Sequence, residues 1–332
     1  MPAEENLAEL ARAGYLPADI DLDDGVVLLA KLAHSGFQEV WYSDTVAGVD
    51  AGDHKVVPFR AFVEQFADRR DDEHLRLIAH TSRCGSTLLA NLLTLRPTTM
   101  VLKEPDFVTV PARRIALAAD AAEAADSAAL LRALMNFSCH AAAVAGRELV
   151  IKLTSWITPL VVAALNGSEH ATWLFVWREP EEVVASNVAQ SPSWGRDTED
   201  GRAARYLAGV ADTPLGSVEF YANTWQRIVD SFGPTGTGIR WRTLEYRELA
   251  GAKAESLVAT ESWFGLAAAG GLPAAFEEES KRYSKGSRAE VFEPANAHRR
   301  SPLEPDEQEQ VDVLTKRALE TLRAETDHRL LP

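Results

Sequence analysis

Leu75-Arg-Leu-Ile-Ala-His80-Thr-Ser-Arg-Cys-Gly85-Ser-Thr-Leu-Leu89 runs an apolar segment into a polar turn and then into a leucine-rich stripe. The apolar part predicts a buried strand. Leu88, Leu89, Leu92 and Leu93 fall on one face of a helix that ends before Pro97. A strand, a tight turn and a helix N-terminus form an anion cradle, because backbone N–H groups point outward and the helix dipole favours negative charge. The turn is not a Walker A loop, which needs G-x-x-x-x-G-K-[ST]. Ser86 and Thr87 follow Gly85, His80 holds the earlier glycine position, and Arg83 precedes the glycine in place of a lysine after it.

Downstream of this stretch, apolar runs alternate with helical patterns. Leu75–His80, Met100–Lys103, Glu148–Leu153, Thr172–Trp177 and Ile239–Leu244 are predicted strands. The alternation predicts an α/β fold of three layers, a mostly parallel β-sheet with helices on both faces. The alanine-rich 115–146 region predicts two or three helices, and 306–328 an amphipathic helix. Residues 190–215, rich in Ser, Gly, Asp and Pro around Trp194, predict a mobile loop over a site.

Upstream, residues 1–73 read as an N-terminal extension of mixed α/β character, and 74–332 as the main domain. Helices are expected at 4–13 and 59–67, a strand at 39–45 and a turn at 48–53.

The 332 residues carry a formal charge of −15. Nucleic-acid binders usually show a basic balance, so nucleic acid is not an expected partner, and highly sulfated glycans would be repelled. Two cysteines, Cys84 and Cys139, build neither a disulfide framework nor a zinc site. No basic, apolar leader and no membrane-length apolar run is present, so a cytoplasmic protein is expected.

In open parallel sheets, ligands bind beyond the carboxyl ends of the strands. Those ends bring Arg83, Lys103, Lys152 and Arg178 towards one rim, which suits a multiply anionic ligand. Glu104 follows the second strand, Ser186 lies eight residues beyond Arg178, and Tyr246 follows the fifth strand.

These residues resemble the sulfotransferase family, which moves a sulfuryl group from 3′-phosphoadenylyl sulfate (PAPS) to a hydroxyl or amine. Ser82-Arg-Cys-Gly-Ser-Thr-Leu-Leu89 resembles its 5′-phosphosulfate loop. Phe175-Val-Trp-Arg-Glu-Pro-Glu-Glu-Val-Val-Ala-Ser186 resembles its 3′-phosphate motif, and Tyr283-Ser-Lys-Gly-Ser-Arg288 a late loop closing over the nucleotide. The pattern is closest to the tyrosylprotein-type and bacterial enzymes and spans residues 75 to 300.

The resemblance implies a P-loop NTPase-like sulfotransferase fold with PAPS as co-substrate and no metal. It also implies roles. Arg83 would steady the leaving group. The amides of Cys84, Gly85, Ser86 and Thr87, with the Ser86 and Thr87 hydroxyls, would cradle the 5′-phosphate. Arg178 and Ser186 would hold the 3′-phosphate, and Tyr246 and Lys285 would contact the nucleotide. Glu104 would be the general base and Lys152 would stabilise the transferring sulfuryl oxygens. Family members often place a basic residue a turn after the serine; Gln190 stands there, which shifts that task to Lys285 or Arg288. Cys84 belongs to the cradle rather than acting as a nucleophile.

Trp156, Trp194, Tyr206, Tyr221 and Trp225 are candidates for an acceptor pocket. The acceptor itself is left open among a neutral small molecule, a lipid-like alcohol and a peptide tyrosine. Two other functions fit the loop: a kinase with a degenerate Walker A motif, and a nucleotide-binding module without catalysis. The oligomeric state is not encoded in any pattern read here.

Overall fold

Eight strands follow one another along the chain: β1 (Tyr15–Asp21), β2 (Val26–Lys31), β3 (His54–Pro58), β4 (Arg76–His80), β5 (Thr99–Lys103), β6 (Glu148–Lys152), β7 (Thr172–Trp177) and β8 (Arg240–Glu245). They are seen in a computed structural model that describes residues 6–32, 36–69, 75–165, 171–232, 239–266, 271–282 and 303–331. β1–β3 form a small antiparallel sheet, and the other five form an all-parallel sheet in the order β5-β6-β4-β7-β8. Every residue of β4, β5 and β7 is buried, as a parallel sheet covered by helices requires.

Alternation along each strand feeds separate apolar clusters. Leu77, Leu102, Ile151 and Trp173 join one, while Ile78, Val101, Val150 and Leu174 join the other. The first cluster is filled by the Asp106–Leu117, Ala121–Val144, Val218–Asp230 and Pro305–Ala324 helices. The second is filled by the Ser86–Thr94 and Lys253–Phe264 helices. Within the first, Phe232 stacks on Phe175 at 4.6 Å and meets Trp173 edge-on at 5.7 Å. Each such ring pair contributes about 0.5–1.5 kcal/mol beyond area burial.

Strand order positions the site. From central β4 the chain runs to the edge strand β5, returns to β6, and then crosses beyond β4 to β7 and β8. Connections therefore leave the middle of the sheet in opposite directions, which opens a crevice at the carboxyl ends of β4, β6 and β7.

The N-terminal part departs from expectation in two ways. Residues 39–45 do not form a strand: Tyr42–Ala47 is a helix, because Tyr42 stacks on Phe37, meets Phe107 edge-on and donates its hydroxyl to the Pro17 carbonyl at 2.6 Å. None of the strands β1, β2 and β3 was expected. β1 carries Pro17 at the sheet edge beside a register shift, one of the few places a sheet accepts proline. Leu7, Leu16, Val27 and Phe62 lie in the same apolar cluster as Leu77 and Phe137.

The 190–215 region is a built wall. It holds the Ser193–Gly195 turn of 3₁₀ helix and the Glu199–Leu207 helix, whose Thr198 cap accepts from the Gly201 N–H. The alanine-rich region is one long helix, Ala121–Val144, capped by Asp120, after the Asp106–Leu117 helix. Among the described residues no helix is long and apolar enough to cross a membrane.

Candidate active site at the strand ends

Gly85 opens the Ser86–Thr94 helix in the left-handed region, at φ 80°. A Cβ here would sit 3.0 Å from Leu249 Cδ2 and 3.2 Å from Tyr246 Cδ2, so both backbone and space call for glycine. The N–H groups of Gly85, Ser86 and Thr87 donate to no acceptor among the described residues. The Thr87 Oγ1 atom is buried and unpartnered as well. A helix N-terminus with open donors and a positive dipole end attracts an anion.

The turn before Gly85 is held in a rare conformation. Ser82 and Arg83 have φ of 69° and 50°. Such positions cost about 1–3 kcal/mol each and persist only where neighbours fix them. His80 is the first fixing point: Nδ1 accepts the Ser82 N–H at 3.0 Å, which leaves Nε2–H to donate to the Leu153 carbonyl at 2.9 Å. Arg178 Nη1 donates to the Arg83 carbonyl at 3.2 Å, and Cys84 Sγ, fully buried, donates to the Val176 carbonyl at 3.2 Å. The Arg83 side chain lies on the end of the Pro180–Ala189 helix. Asn187 Oδ1 accepts from Nε at 3.2 Å, Gln190 Oε1 from Nη1 at 3.2 Å, and the Gln190 carbonyl from Nη2 at 2.5 Å. The Gln190 side-chain oxygen thus serves as an acceptor for Arg83, a task no lysine or arginine side chain could perform.

Beside this turn, Lys152 reaches from the end of β6 to Glu104 and forms an ion pair. The lysine side chain is 0% exposed and the glutamate 17%. Glu104 also has a positive φ, 54°, fixed by its N–H donating to the Lys152 carbonyl at 2.7 Å. His80 Nε2 lies 3.8 Å from Glu104 Oε1. Two residues on, burial and the charges of Asp19 and Asp200 push the Asp106 carboxyl up, against the pull of Arg113.

Arg178, buried at the end of β7, donates Nε to Glu182 Oε2 at 2.6 Å and lies over the Tyr246 ring at 4.4 Å. Burial alone would lift the Glu182 carboxyl, but Arg178 and Arg247 outweigh it and hold its pKa below the ordinary value. Ser186 shares the Glu182 stripe of that helix at i, i+4. It is fully buried, and its hydroxyl meets no partner.

Lys103 does not join this group. Its Nζ donates to the Glu39 carbonyl at 2.7 Å and so anchors the segment that carries Trp41. Lys285 and the rest of the 283–288 motif lie outside the described residues.

A cleft of about 330 Å³ opens next to Glu104. Its lining includes His80, Ser82, Arg83, Glu104 and Ser155, together with Trp41 and, from the 190–196 segment, Trp194 and Arg196. Of the aromatic candidates, only Trp194 is in this lining. Trp156 and Trp225 are buried elsewhere, Tyr206 is 66% exposed, and Tyr221 supports the wall by sharing a hydrogen bond with Ser191 at 2.8 Å. Trp41, Arg196, Asn187 and His80 were missed as functional positions. Only His80, two residues before Ser82, carried a local signal.

No protein-family model matches the sequence, and no curated protein matches it either.

Proposed function

We propose that the chain is a sulfotransferase of three-layer, P-loop NTPase-like architecture, moving a sulfuryl group from PAPS to an acceptor hydroxyl. The observation that supports this reading is that the neighbouring parallel strands β4 and β6 lead, at their carboxyl ends, to open donors on Gly85–Thr87 and to a buried lysine–carboxylate pair. The cradle suits a phosphate, and its orphaned Thr87 hydroxyl fits the same group. Arg178 fits a second phosphate, which would replace Glu182 as its acceptor. Two phosphate-binding positions on one rim favour a doubly phosphorylated adenosine over a simple adenylate.

The cleft beside Glu104 leaves room for an acceptor. Glu104 would take the acceptor's proton, and Lys152, already at its carboxylate, would stabilise charge on the sulfuryl oxygens. Arg83, fixed by Asn187 and Gln190, would steady the departing phosphate.

Isothermal titration with 3′-phosphoadenosine-5′-phosphate, AMP and ATP with magnesium tests the proposal. A second phosphate engaged by arginine is worth about 1.5–3 kcal/mol, or a ten- to hundredfold preference over AMP. Equal affinity for the bisphosphate and AMP would refute the reading. Magnesium-dependent ATP turnover would favour a kinase, and bisphosphate binding without transfer to any acceptor a non-catalytic module.

A further inference from the structure

Ser82, just beyond β4, has φ 69°, and among the described residues its N–H has one acceptor, His80 Nδ1 at 3.0 Å. An N–H can donate only to a bare nitrogen, so Nδ1 carries no proton. The ring proton sits on Nε2, which donates to the Leu153 carbonyl at 2.9 Å. The imidazole thus stitches the turn to the chain leaving β6. It is 2% exposed and stands in the lining of the cleft. Thr81 stitches the same turn to β7: its N–H donates to the Val176 carbonyl and its Oγ1 accepts the Arg178 N–H, both at 3.2 Å.

The two supports differ in one respect. Near neutral pH no proton undoes the Thr81 contacts. A histidine changes charge between about pH 5 and 8, and an imidazolium has a donor on each nitrogen and no acceptor. A protonated His80 would turn an N–H towards the Ser82 N–H and leave a buried backbone donor unpaired in a strained turn. The charged groups around it are Glu104, 3.8 Å from Nε2, Lys152 in its ion pair with Glu104, Arg83 turned onto Asn187 and Gln190, and Arg178 on the Arg83 carbonyl. Glu104 faces Nε2, so it does not supply the contact that Ser82 would lose.

We propose that His80 is a positioning residue: its neutral form holds the Ser82–Gly85 turn in the shape that binds phosphate, and a proton on Nδ1 releases that hold and weakens binding. This rests on the reading of the cradle as the 5′-phosphate site and adds its control by pH.

Histidine labelled with ¹⁵N tests it on the unmodified chain. The His80 ring, identified by the signal lost in His80→Asn or His80→Leu, should show the Nε2–H tautomer. Saturating 3′-phosphoadenosine-5′-phosphate should move its titration midpoint down by about one pH unit, the linkage equivalent of tenfold in affinity. Simple attraction between an imidazolium and the anion would move it up. Calorimetry from about pH 8 to 5.5 gives a second arm, in which the ligand's own phosphates titrate alike for every variant. His80→Asn sets an amide oxygen in place of Nδ1 and should bind within a few-fold of wild type at the alkaline end. Wild type should then lose about tenfold relative to it at the acid end. His80→Leu, which has no acceptor, should bind about tenfold more weakly throughout. A midpoint that rises or stays, parallel pH profiles for wild type and His80→Asn, or normal binding by His80→Leu would overturn the inference while leaving the donor reading in place. No bisphosphate binding at any pH would overturn both.

Discussion

Removing the Glu104 charge should destabilise the protein more than removing its partner. Glu104→Gln strands the Lys152 ammonium at a site that is 0% exposed, whereas Lys152→Met leaves a carboxylate that is 17% exposed and can still be reached by water. Breaking a buried pair from one side costs about 3–5 kcal/mol, because the remaining charge is uncompensated. For 332 residues the unfolding entropy is about 0.7 kcal/mol/K, which converts that cost into a fall in Tm of about 4–7 °C. Lys152→Met should lose less than half as much. The double variant Glu104→Gln/Lys152→Met should lie within about 1 kcal/mol of wild type, since an ion pair replaced as a whole is close to neutral. Thermal and urea unfolding followed by circular dichroism measure all four proteins, and the cycle gives the coupling. Equal losses in the two single variants, or a double variant as unstable as the sum of the singles, would refute the argument from burial. Transfer assays on the same proteins separate the chemical role: turnover unchanged in Glu104→Gln would remove Glu104 as the base.

Other outcomes follow from the same geometry. Gly85→Ala should cost about 1–3 kcal/mol in urea unfolding, because φ 80° is strained for alanine and Tyr246 and Leu249 crowd its Cβ, and it should weaken bisphosphate binding. Glu182→Gln should destabilise the protein at pH 7, and by progressively less as pH falls below the ordinary carboxylate range. The folded-state pKa of Glu182 is depressed, so its contribution is present above the ordinary carboxylate pKa and is lost as pH falls through the folded value. Arg178→Ala should erase the preference for the bisphosphate over AMP in calorimetry, and AMP itself should bind more weakly because the Arg83 carbonyl loses its Nη1 donor. Tyr221→Phe removes the hydrogen bond to Ser191 and should cost about 0.5–1.5 kcal/mol by urea unfolding.

The parallel sheet was legible because its strands are continuous apolar runs between turn residues, and no observed bound differs from expectation by more than one residue. β1 and β3 were hidden because antiparallel strands with one face towards solvent mix Pro17, Asp19, His54 and Lys55 with their apolar residues. The Tyr42–Ala47 helix was misread as a strand because aromatic and β-branched residues suggest one, while packing against Phe107 decided otherwise. At the site, strand-end positions placed Lys152 on the rim where Glu104 follows β5, but the ion pair between them was not foreseen. Nor were the cleft walls: Trp41 and Arg196 stand on segments 155 positions apart, brought together by a non-local contact from Lys103 and by packing on Tyr221. Gln190 was visible only as a departure from a pattern, and its use became clear from the two oxygens it gives Arg83.

Lys103 joins the leading portion of the chain to the crevice in a way that matters for anyone shortening the protein. A version starting at Leu75 would lose the Glu39 carbonyl that accepts from Lys103 Nζ at 2.7 Å. It would also strip Trp41 from the cleft and uncover the side of the Ala121–Val144 helix where Phe137 meets Phe62 and Phe66. Solubility and the shape of the cleft should therefore fail together on trimming.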